Sequence, residues 1–241
     1  MHFSLVIPAY DEADRIEETL RKATAYLAAQ DFDSEIIVVD DGSRDETAQI
    51  ARAFSGEEGP GVIVRSLDRN RGKGYAVRHG MLNMARGDYR VFFDADASTP
   101  IEEVEKLWPR FADGADIVIG SRSLDRSLIK VRQRPMREAM GRIFNLFLRL
   151  LRITRFHDTQ CGFKGFTKAA CDVVFPRQTI ERFSFDAELL YIAQKHGLAV
   201  DEVAVRWYNN PHSRVNPFSD ASRMFLDLLT IRIKDIQGRY A

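Results

Sequence analysis

Short apolar runs rich in branched residues recur along this chain, and each is followed by a segment with helical periodicity. Leu5–Ile7 precedes a helical pattern over about Asp14–Ala29, Glu35–Val39 one over Asp45–Phe54, and Val62–Arg65 one over Gly74–Ala85. Tyr89–Phe93 and Ile101–Ala112 repeat the unit, and Asp116–Ile119 supplies a further strand. Runs this short alternating with helices predict an α/β fold, with a mostly parallel central sheet and helices on both faces. At least four strand–helix units precede residue 121.

Beyond residue 121 the rhythm changes to a basic, helix-rich segment, a strand near Gly162–Phe166, a helix near Asp186–His196, a strand near Ala199–Trp207 and a final amphipathic helix. The 241 residues fit a single domain, with residues 1–120 as a nucleotide-binding half and 121–241 as an acceptor-binding half. The loop Ser55–Gly61 reads as a surface connection.

Lys+Arg and Asp+Glu both number 35, so no whole-molecule field draws in nucleic acid. The charge is unevenly placed. Ser121–Arg155 carries ten Lys/Arg (122, 126, 130, 132, 134, 137, 142, 149, 152, 155) against two acids, Asp125 and Glu138. Two cysteines, Cys161 and Cys171, make neither a disulfide framework nor a zinc site and predict a reducing compartment. The N-terminus enters a strand-like run with no signal-peptide pattern, and no uncharged apolar run reaches the ~18 residues of a bilayer span. Membrane contact is therefore expected to be peripheral, on the cytoplasmic face.

Ligands of open parallel sheets bind beyond the carboxyl ends of the strands. Three of these ends carry acids: Asp11 and Glu12 after the first, Asp40 and Asp41 after the second, Asp94 and Asp96 after Val91–Phe93. In extended chain the spacing of Asp94 and Asp96 points both side chains to one face. With a diphosphate supplying further oxygens, such a pair suits Mg²⁺ or Mn²⁺. Asp40-Asp41-Gly42-Ser43 also suits a tight turn capping the helix near Asp45. Arg71-Gly72-Lys73-Gly74 is a glycine-flanked cation before a helix, placed to meet a phosphate, without the spacing of a P-loop or dinucleotide fingerprint.

In order along the chain, Val6–Glu12 (VIPAYDE), Ile37–Thr47 (IVVDDGSRDET), Asn70–Gly74 (NRGKG) and Phe93–Ser98 (FDADAS) resemble the inverting family 2 glycosyltransferases of GT-A fold. Gly120–Arg122, Asp158–Lys164 (DTQCGFK), Arg182–Gln194 and the tail from Trp207 to Arg232 resemble the dolichyl-phosphate β-glucosyltransferase branch, with the dolichyl-phosphate mannosyltransferases next. The likeness runs over roughly residues 3–235 and implies a Rossmann-like donor half.

The resemblance implies that Pro8, Tyr10, Glu12 and Asp40 hold a nucleotide, uridine diphosphate, with Lys73 beside it. It puts Asp94 near the sugar or ribose and the metal, and makes Asp96 the main metal ligand. The mannosyltransferase branch has a metal-contacting Gln two residues beyond that ligand. Here Ser98 stands in its place, which leaves the third ligand open. Arg122, Arg137 and Arg206 match positions around donor and acceptor phosphates, where the guanidinium fork fits. Asp158, Gln160 and Asp186 are expected at the sugar or acceptor, with Asp186 as the base if one exists. Each also reads as a buried hydrogen-bonding group, as many of the arginines read as a solvated helix face.

The expected partners are a nucleotide-sugar donor, UDP-glucose favoured, and a polyprenyl phosphate. A monoalkyl phosphate, with a second pKa of about 6, is already anionic and needs no general base. A single in-line displacement inverting the anomeric carbon follows, with the metal on the leaving diphosphate. GDP-mannose as donor, a hydroxyl acceptor served by a carboxylate base, and a silent nucleotide-sugar binding protein are the competing readings. Arg142–Arg152, apolar and interleaved with arginines, and Phe225, Leu228, Leu229 and Arg232 on the last helix are expected to meet a lipid interface or to pack on the core. A membrane-protein partner is compatible with that arrangement. His157 adjoins the Asp158 motif, within reach of an expected phosphate; the other histidines show no ligand spacing.

Overall fold

The structure is a computed structural model that describes residues 1–56, 60–131, 133, 135–209 and 219–241, with side chains described except at 135–137 and 219–222. The first half alternates as the sequence predicts: β1 (His2–Ala9), α1 (Ile16–Ala28), β2 (Asp33–Asp40), α2 (Thr47–Ala53), β3 (Gly61–Ser66), α3 (Lys73–His79), β4 (Tyr89–Phe93), α4 (Leu107–Ala112) and β5 (Ile117–Ser121). Two expected helices are irregular. The one after Asn70 widens into a π turn at Gly80–Met84, and the one after Pro100 begins as a 3₁₀ segment, Ile101–Lys106. Pro109 explains the second case, because it lacks an N–H and is tolerated in the first turn of a fresh α-helix, which is where α4 places it.

The second half contributes β6 (Ile129–Val131), α5 (Pro135–Leu150), β7 (Phe163–Thr167), α6 (Lys168–Val174), α7 (Phe185–Lys195), β8 (Val200–Ala204), β9 (Trp207–Tyr208) and α8 (Ser219–Ile236). Among the described residues the main sheet has seven strands in the order β3-β2-β1-β4-β7-β5-β8, and β6 pairs with β9 in a small parallel ribbon. Only β7 runs against its neighbours; the pairs β1–β2, β1–β4, β2–β3 and β5–β8 are parallel. The expected strand at 199–207 is divided between β8 and β9.

Period-2 alternation distributes each strand over two cores. Leu5 and Ile7 of β1, with Ile36, Val38, Val91, Phe93 and Val118, meet α1 and the 101–112 helix. Val6, Ile37, Val39, Phe92, Ile119 and Phe166 face the other way, toward α3, α6 and α7. Each fully buried Phe or Ile of these sets contributes about 1.5–3 kcal/mol relative to exposure.

Phe144 and Leu148 of α5 and Leu228 and Ile231 of α8 join that second core. Of the two readings of the last helix, core packing holds for Phe225 and Leu228, and only the grouping of Leu229 on the same face is corrected. Leu228 is fully buried and Phe225 packs on the core, whereas the exposed apolar residues of α8 are Leu226, Leu229, Ile233 and Ile236. A helix that must cover a sheet presents its most continuous apolar stripe inward.

Because β1, β2, β4 and β5 are parallel, their carboxyl ends share one edge of the sheet. Antiparallel β7 starts at that edge, with Phe163 opposite Phe93, so residues 158–162 arrive beside Asp94.

Candidate active site at the carboxyl edge of the sheet

The loops after β1 and β2 are laced together. Asp11, with a positive φ of 51°, donates its N–H to Ser43 Oγ (2.9 Å) and accepts from the Arg44 N–H (2.8 Å), while Glu12 N donates to Thr47 Oγ1 (2.7 Å). Pro8 is buried at the end of β1, Tyr10 and Glu12 are half-buried just beyond it, and the Glu12 carboxylate pairs with Arg15. Asp40 accepts from Ser43 N (3.0 Å), which is the turn geometry expected of this sequence. Asp41 does more than cap. Its two oxygens accept from Arg71 N (2.8 Å) and Gly72 N (2.7 Å), fixing the glycine-flanked loop against β2. Burial pushes the Asp41 carboxyl up, against those two hydrogen bonds.

Gly72 is required by that loop. Its φ is 113°, and a Cβ there would lie 2.4 Å from the Glu181 carbonyl oxygen. The next residue, Lys73, opens α3 and sets its ammonium 2.6 Å from Asp94 Oδ1. Burial pulls this ammonium down, but Asp94 and Asp186 outweigh it, and the Lys73 pKa is raised. Lys73 is thus a permanent cation at the carboxyl edge.

Asp94–Asp96 lies in a turn after β4, closed by Ala97 N donating to Asp94 O (3.1 Å), with Ala97 at φ 46°. The strand-spacing argument for this pair therefore fails: β4 ends at Phe93, so the two side chains do not share a face by pleat. They converge through the turn instead. Asp94's charge acts on Asp96, and both carboxylates act on Arg15. Burial first, and then Asp94, push the Asp96 carboxyl up despite its hydrogen bond from Ser98 N (3.0 Å). A desolvated carboxylate beside a second one favours a cation. Arg15, the residue before α1, was not singled out in the sequence.

Arg122 follows β5 and grips Asp158 with Nε (2.6 Å) and Nη2 (2.8 Å), and its N–H donates to the same carboxylate (3.0 Å). Burial acts to raise Asp158, but Arg122 outweighs it and holds the carboxyl down at about 2. Gln160 N also donates to Asp158 (3.2 Å). Two residues singled out separately in sequence thus form one bidentate pair. Asp158→Asn should cost about 3 kcal/mol, since it strips the counter-charge from a largely buried guanidinium. The Asp158 carboxyl is lowered from 3.8 to about 2, so its contribution is complete above pH 4 and lost as pH falls through 2. Urea unfolding at pH 7 and at pH 3 checks this: the gap between wild type and variant should narrow at the lower pH, and equal midpoints at pH 7 would refute it.

Asp186, in the first turn of α7, is engaged by Lys164 (2.6 Å), which is fully buried in β7, also donates to Cys161 O (2.6 Å) and lies over the Phe92 ring. Burial pushes Asp186 up against the charges of Lys164 and Lys73. Lys164 was not anticipated, although a lone cation between Phe163 and Phe166 in a buried strand is a readable signal for a buried ion pair. Arg206 lies on the connection between β8 and β9. It pairs with Glu103 and reaches Glu102 (3.7 Å), on the 3₁₀ segment rather than among the carboxylates around Asp94. Its neighbour Tyr208 nevertheless donates to Ser98 O (2.8 Å), so β9 buttresses the Asp94–Ser98 turn. The Arg137 side chain lies outside the described residues, as do Arg132, Arg134 and His212.

Among the described residues no group of three or more His, Cys, Asp or Glu is placed to hold a metal. Two neighbouring carboxylates nonetheless fit Mg²⁺ or Mn²⁺, which take one or two protein carboxylates and complete their shell with water and substrate phosphate.

The profile of glycosyl transferase family 2 matches residues 4–175. The dolichyl-phosphate β-glucosyltransferase of Dictyostelium discoideum is 36% identical over 251 residues, spanning 99% of this chain and 76% of that protein. The human dolichyl-phosphate β-glucosyltransferase is 36% identical, spanning 98% and 76%. Among solved structures, glucosyl-3-phosphoglycerate synthase from Mycobacterium tuberculosis in complex with Mn²⁺, UDP-glucose and phosphoglyceric acid aligns with a TM-score of 0.68 at 21% identity, covering 95% of this chain and 79% of that one. That likeness shows the GT-A type of fold.

Proposed function

Since the chain belongs to glycosyl transferase family 2, we propose that it transfers glucose from UDP-glucose to a polyprenyl phosphate of the dolichyl type, inverting the anomeric carbon in one metal-assisted displacement. The observation that carries this is the convergence of Lys73, Asp94 and Asp96 beyond the parallel strand ends, where a nucleoside diphosphate meets both a fixed cation and two carboxylates. The likeness to dolichyl-phosphate β-glucosyltransferases over almost the whole chain supports the donor sugar and the acceptor.

The residues divide the work by charge. The loops carrying Pro8, Tyr10, Glu12 and Asp40 cradle the nucleoside, and Lys73 at the start of α3 faces its phosphates. Asp96, with Asp94 beside it, holds Mg²⁺ or Mn²⁺. When bound, the ion supplies Lewis-acid stabilisation of the leaving diphosphate. Arg122 uses Nε and Nη2 on Asp158, which aims its Nη1 donors at an attacking phosphate; Gln160 and Arg137 flank the same acceptor. Arg206, paired with Glu103, acts at the rim.

Asp186 is better read as a positioning group than as a base, because Lys164 holds it. A phosphate acceptor removes the need for a base altogether. Removing Asp186 would orphan a buried ammonium, so lost activity in Asp186→Asn would report stability as well as chemistry.

Peripheral contact with the cytoplasmic face of a membrane completes the proposal, since the acceptor is a lipid and no helix among the described residues is long and apolar enough to cross a bilayer. A protein partner in the bilayer is compatible with it.

The test is transfer of radiolabelled sugar from UDP-glucose or GDP-mannose, with Mg²⁺ or Mn²⁺, to a short polyprenyl phosphate in detergent. Organic-soluble label from UDP-glucose, abolished by chelator, is expected. Donor binding with no label on any lipid phosphate would transfer the case to hydroxyl acceptors.

A further inference from the structure

Outside the carboxyl edge, the chain carries a second concave site of about 490 Å³, lined by Arg149, Arg152, Thr154, Arg155, His157 and Gln194. None of these residues is among those grouped around Asp94. Three guanidinium groups converge on it, all on exposed residues, and among the described residues none of the three has a carboxylate partner. The other arginines of the basic segment whose side chains are described are compensated: Arg122 pairs with Asp158, and Arg126 and Arg142 with Glu138. The nearby carboxylate, Glu202, is consumed locally, accepting from His157 N, Asp158 N and the His157 ring. The three arginines are therefore the uncompensated charges of the concave site, while His157 is held by Glu202.

Its backbone is built rather than loose. Arg152 sits at φ 52°, a left-handed conformation that a side-chain-bearing residue adopts at a cost, and the turn is closed by Arg152 N to Arg149 O (3.0 Å) and Ile153 N to Leu148 O (2.8 Å). Ile153 is buried, and Gln194 donates to its carbonyl (3.1 Å) from α7. The turn brings Arg149, Arg152 and Arg155 to one mouth.

The mouth opens beside an apolar stripe. Ile143, Leu146, Phe147 and Leu150 of α5 stand at helical spacing on the exposed side, with Leu150 67% accessible. Phe225 of α8 packs edge-on against Phe147 (4.9 Å between centroids) and Phe144 (6.1 Å), joining the two helices. The α8 stripe of Leu226, Leu229, Ile233 and Ile236 adds to the exposed apolar surface, with Ile236 83% accessible. Apolar side chains inserted at the acyl boundary, with uncompensated arginines at phosphate depth, form the pattern of an interfacial helix on an anionic membrane.

We propose that the site lined by Arg149, Arg152, Arg155 and His157 binds the phosphate of an anionic phospholipid head group, while the exposed α5 stripe enters the adjoining acyl layer. None of its three arginines is among the residues assigned above to the acceptor phosphate, and the site would hold the carboxyl edge against the bilayer surface from which a lipid acceptor comes. The purpose rests on the acceptor proposed above; the binding does not.

Cosedimentation tests it with vesicles of phosphatidylcholine alone and of phosphatidylcholine mixed equally with phosphatidylglycerol. Wild type should bind the mixed vesicles at least tenfold more tightly. The triple variant Arg149→Gln/Arg152→Gln/Arg155→Gln should lose that gain, at about fivefold per arginine. Leu146→Gln/Leu150→Gln should weaken binding to both vesicles. The arginine variant should keep wild-type transfer to a short polyprenyl phosphate in detergent, so failure of the enzymatic proposal and failure of this one are read on separate assays. Equal binding of wild type to both vesicles, or unchanged binding of the triple variant, would overturn the site. So would an equally strong thermal-shift response to inorganic phosphate that the triple variant lacks, which would assign the site to a soluble anion.

Discussion

Asp96→Ala should lower sugar transfer about a thousandfold or more while leaving the protein folded. Asp96 hangs from the turn that follows β4, where its hydrogen bonds come from the Ser98 N–H and the Ser98 side chain. Burial and the neighbouring Asp94 both disfavour its charge, so the folded chain gains nothing from it in the absence of a cation. The unfolding midpoint should therefore hold or rise slightly. Lys73 is already committed to Asp94, which leaves Asp96 as the carboxylate available to a divalent ion. Lewis-acid stabilisation of a departing diphosphate contributes several kcal/mol, and about 4 kcal/mol corresponds to a thousandfold in rate. Initial rates at saturating donor and metal, beside a thermal melt of each protein, decide the matter. A loss smaller than tenfold in a well-folded variant would move the metal away from Asp96. A variant that fails to melt cooperatively would make Asp96 a structural residue.

The physical reasons why parts of this site were legible in sequence are local ones. The parallel sheet shows through because β1, β2, β4 and β5 are largely buried on both faces and so read as continuous apolar runs, and each strand-end acid falls at the edge where such folds bind ligands. The turns at Asp40–Ser43 and Asn70–Gly74 are visible because glycine and short polar residues have few other uses. What escaped is long-range. That β7 inserts antiparallel between β4 and β5 cannot be read from the Phe163–Thr167 run, whose pattern suits either direction. The Arg122–Asp158 pair spans 36 residues, and Lys164–Asp186 joins a strand to a helix, so neither has a sequence spacing to announce it. The role of the α8 face stayed open because periodicity identifies a stripe but not whether the stripe faces the core; Leu228, buried, and Leu229, exposed, settle that only once α8 is seen on the sheet.

Gly162 was visible in sequence only as a glycine near a strand, yet its substitution carries the second largest effect expected here. β7 begins opposite the end of β4, and Asp94 N donates to Gly162 O (3.0 Å), so the two backbones are clamped together at the carboxyl edge. The Asp94 side chain occupies the space where a Cβ of residue 162 would stand. A methyl there would lie 1.9 Å from Oδ2 and 2.0 Å from Cγ. Because the backbone is pinned by that hydrogen bond and the adjoining ladder, the carboxylate must move by an ångström or more, which disturbs its 2.6 Å contact with Lys73. Misplacement of a reacting group by about 1 Å can cost a hundredfold in rate. Gly162→Ala should therefore reduce kcat about a hundredfold, with the far-ultraviolet spectrum unchanged. Gly141→Ala is the matched control: a Cβ there meets nothing within 4 Å and sits inside α5, so activity should be retained and stability should rise by about 0.5–1 kcal/mol. Wild-type kcat in a folded Gly162→Ala protein would show that Asp94 tolerates displacement, and the catalytic weight of the carboxylate edge would then rest on Asp96 alone.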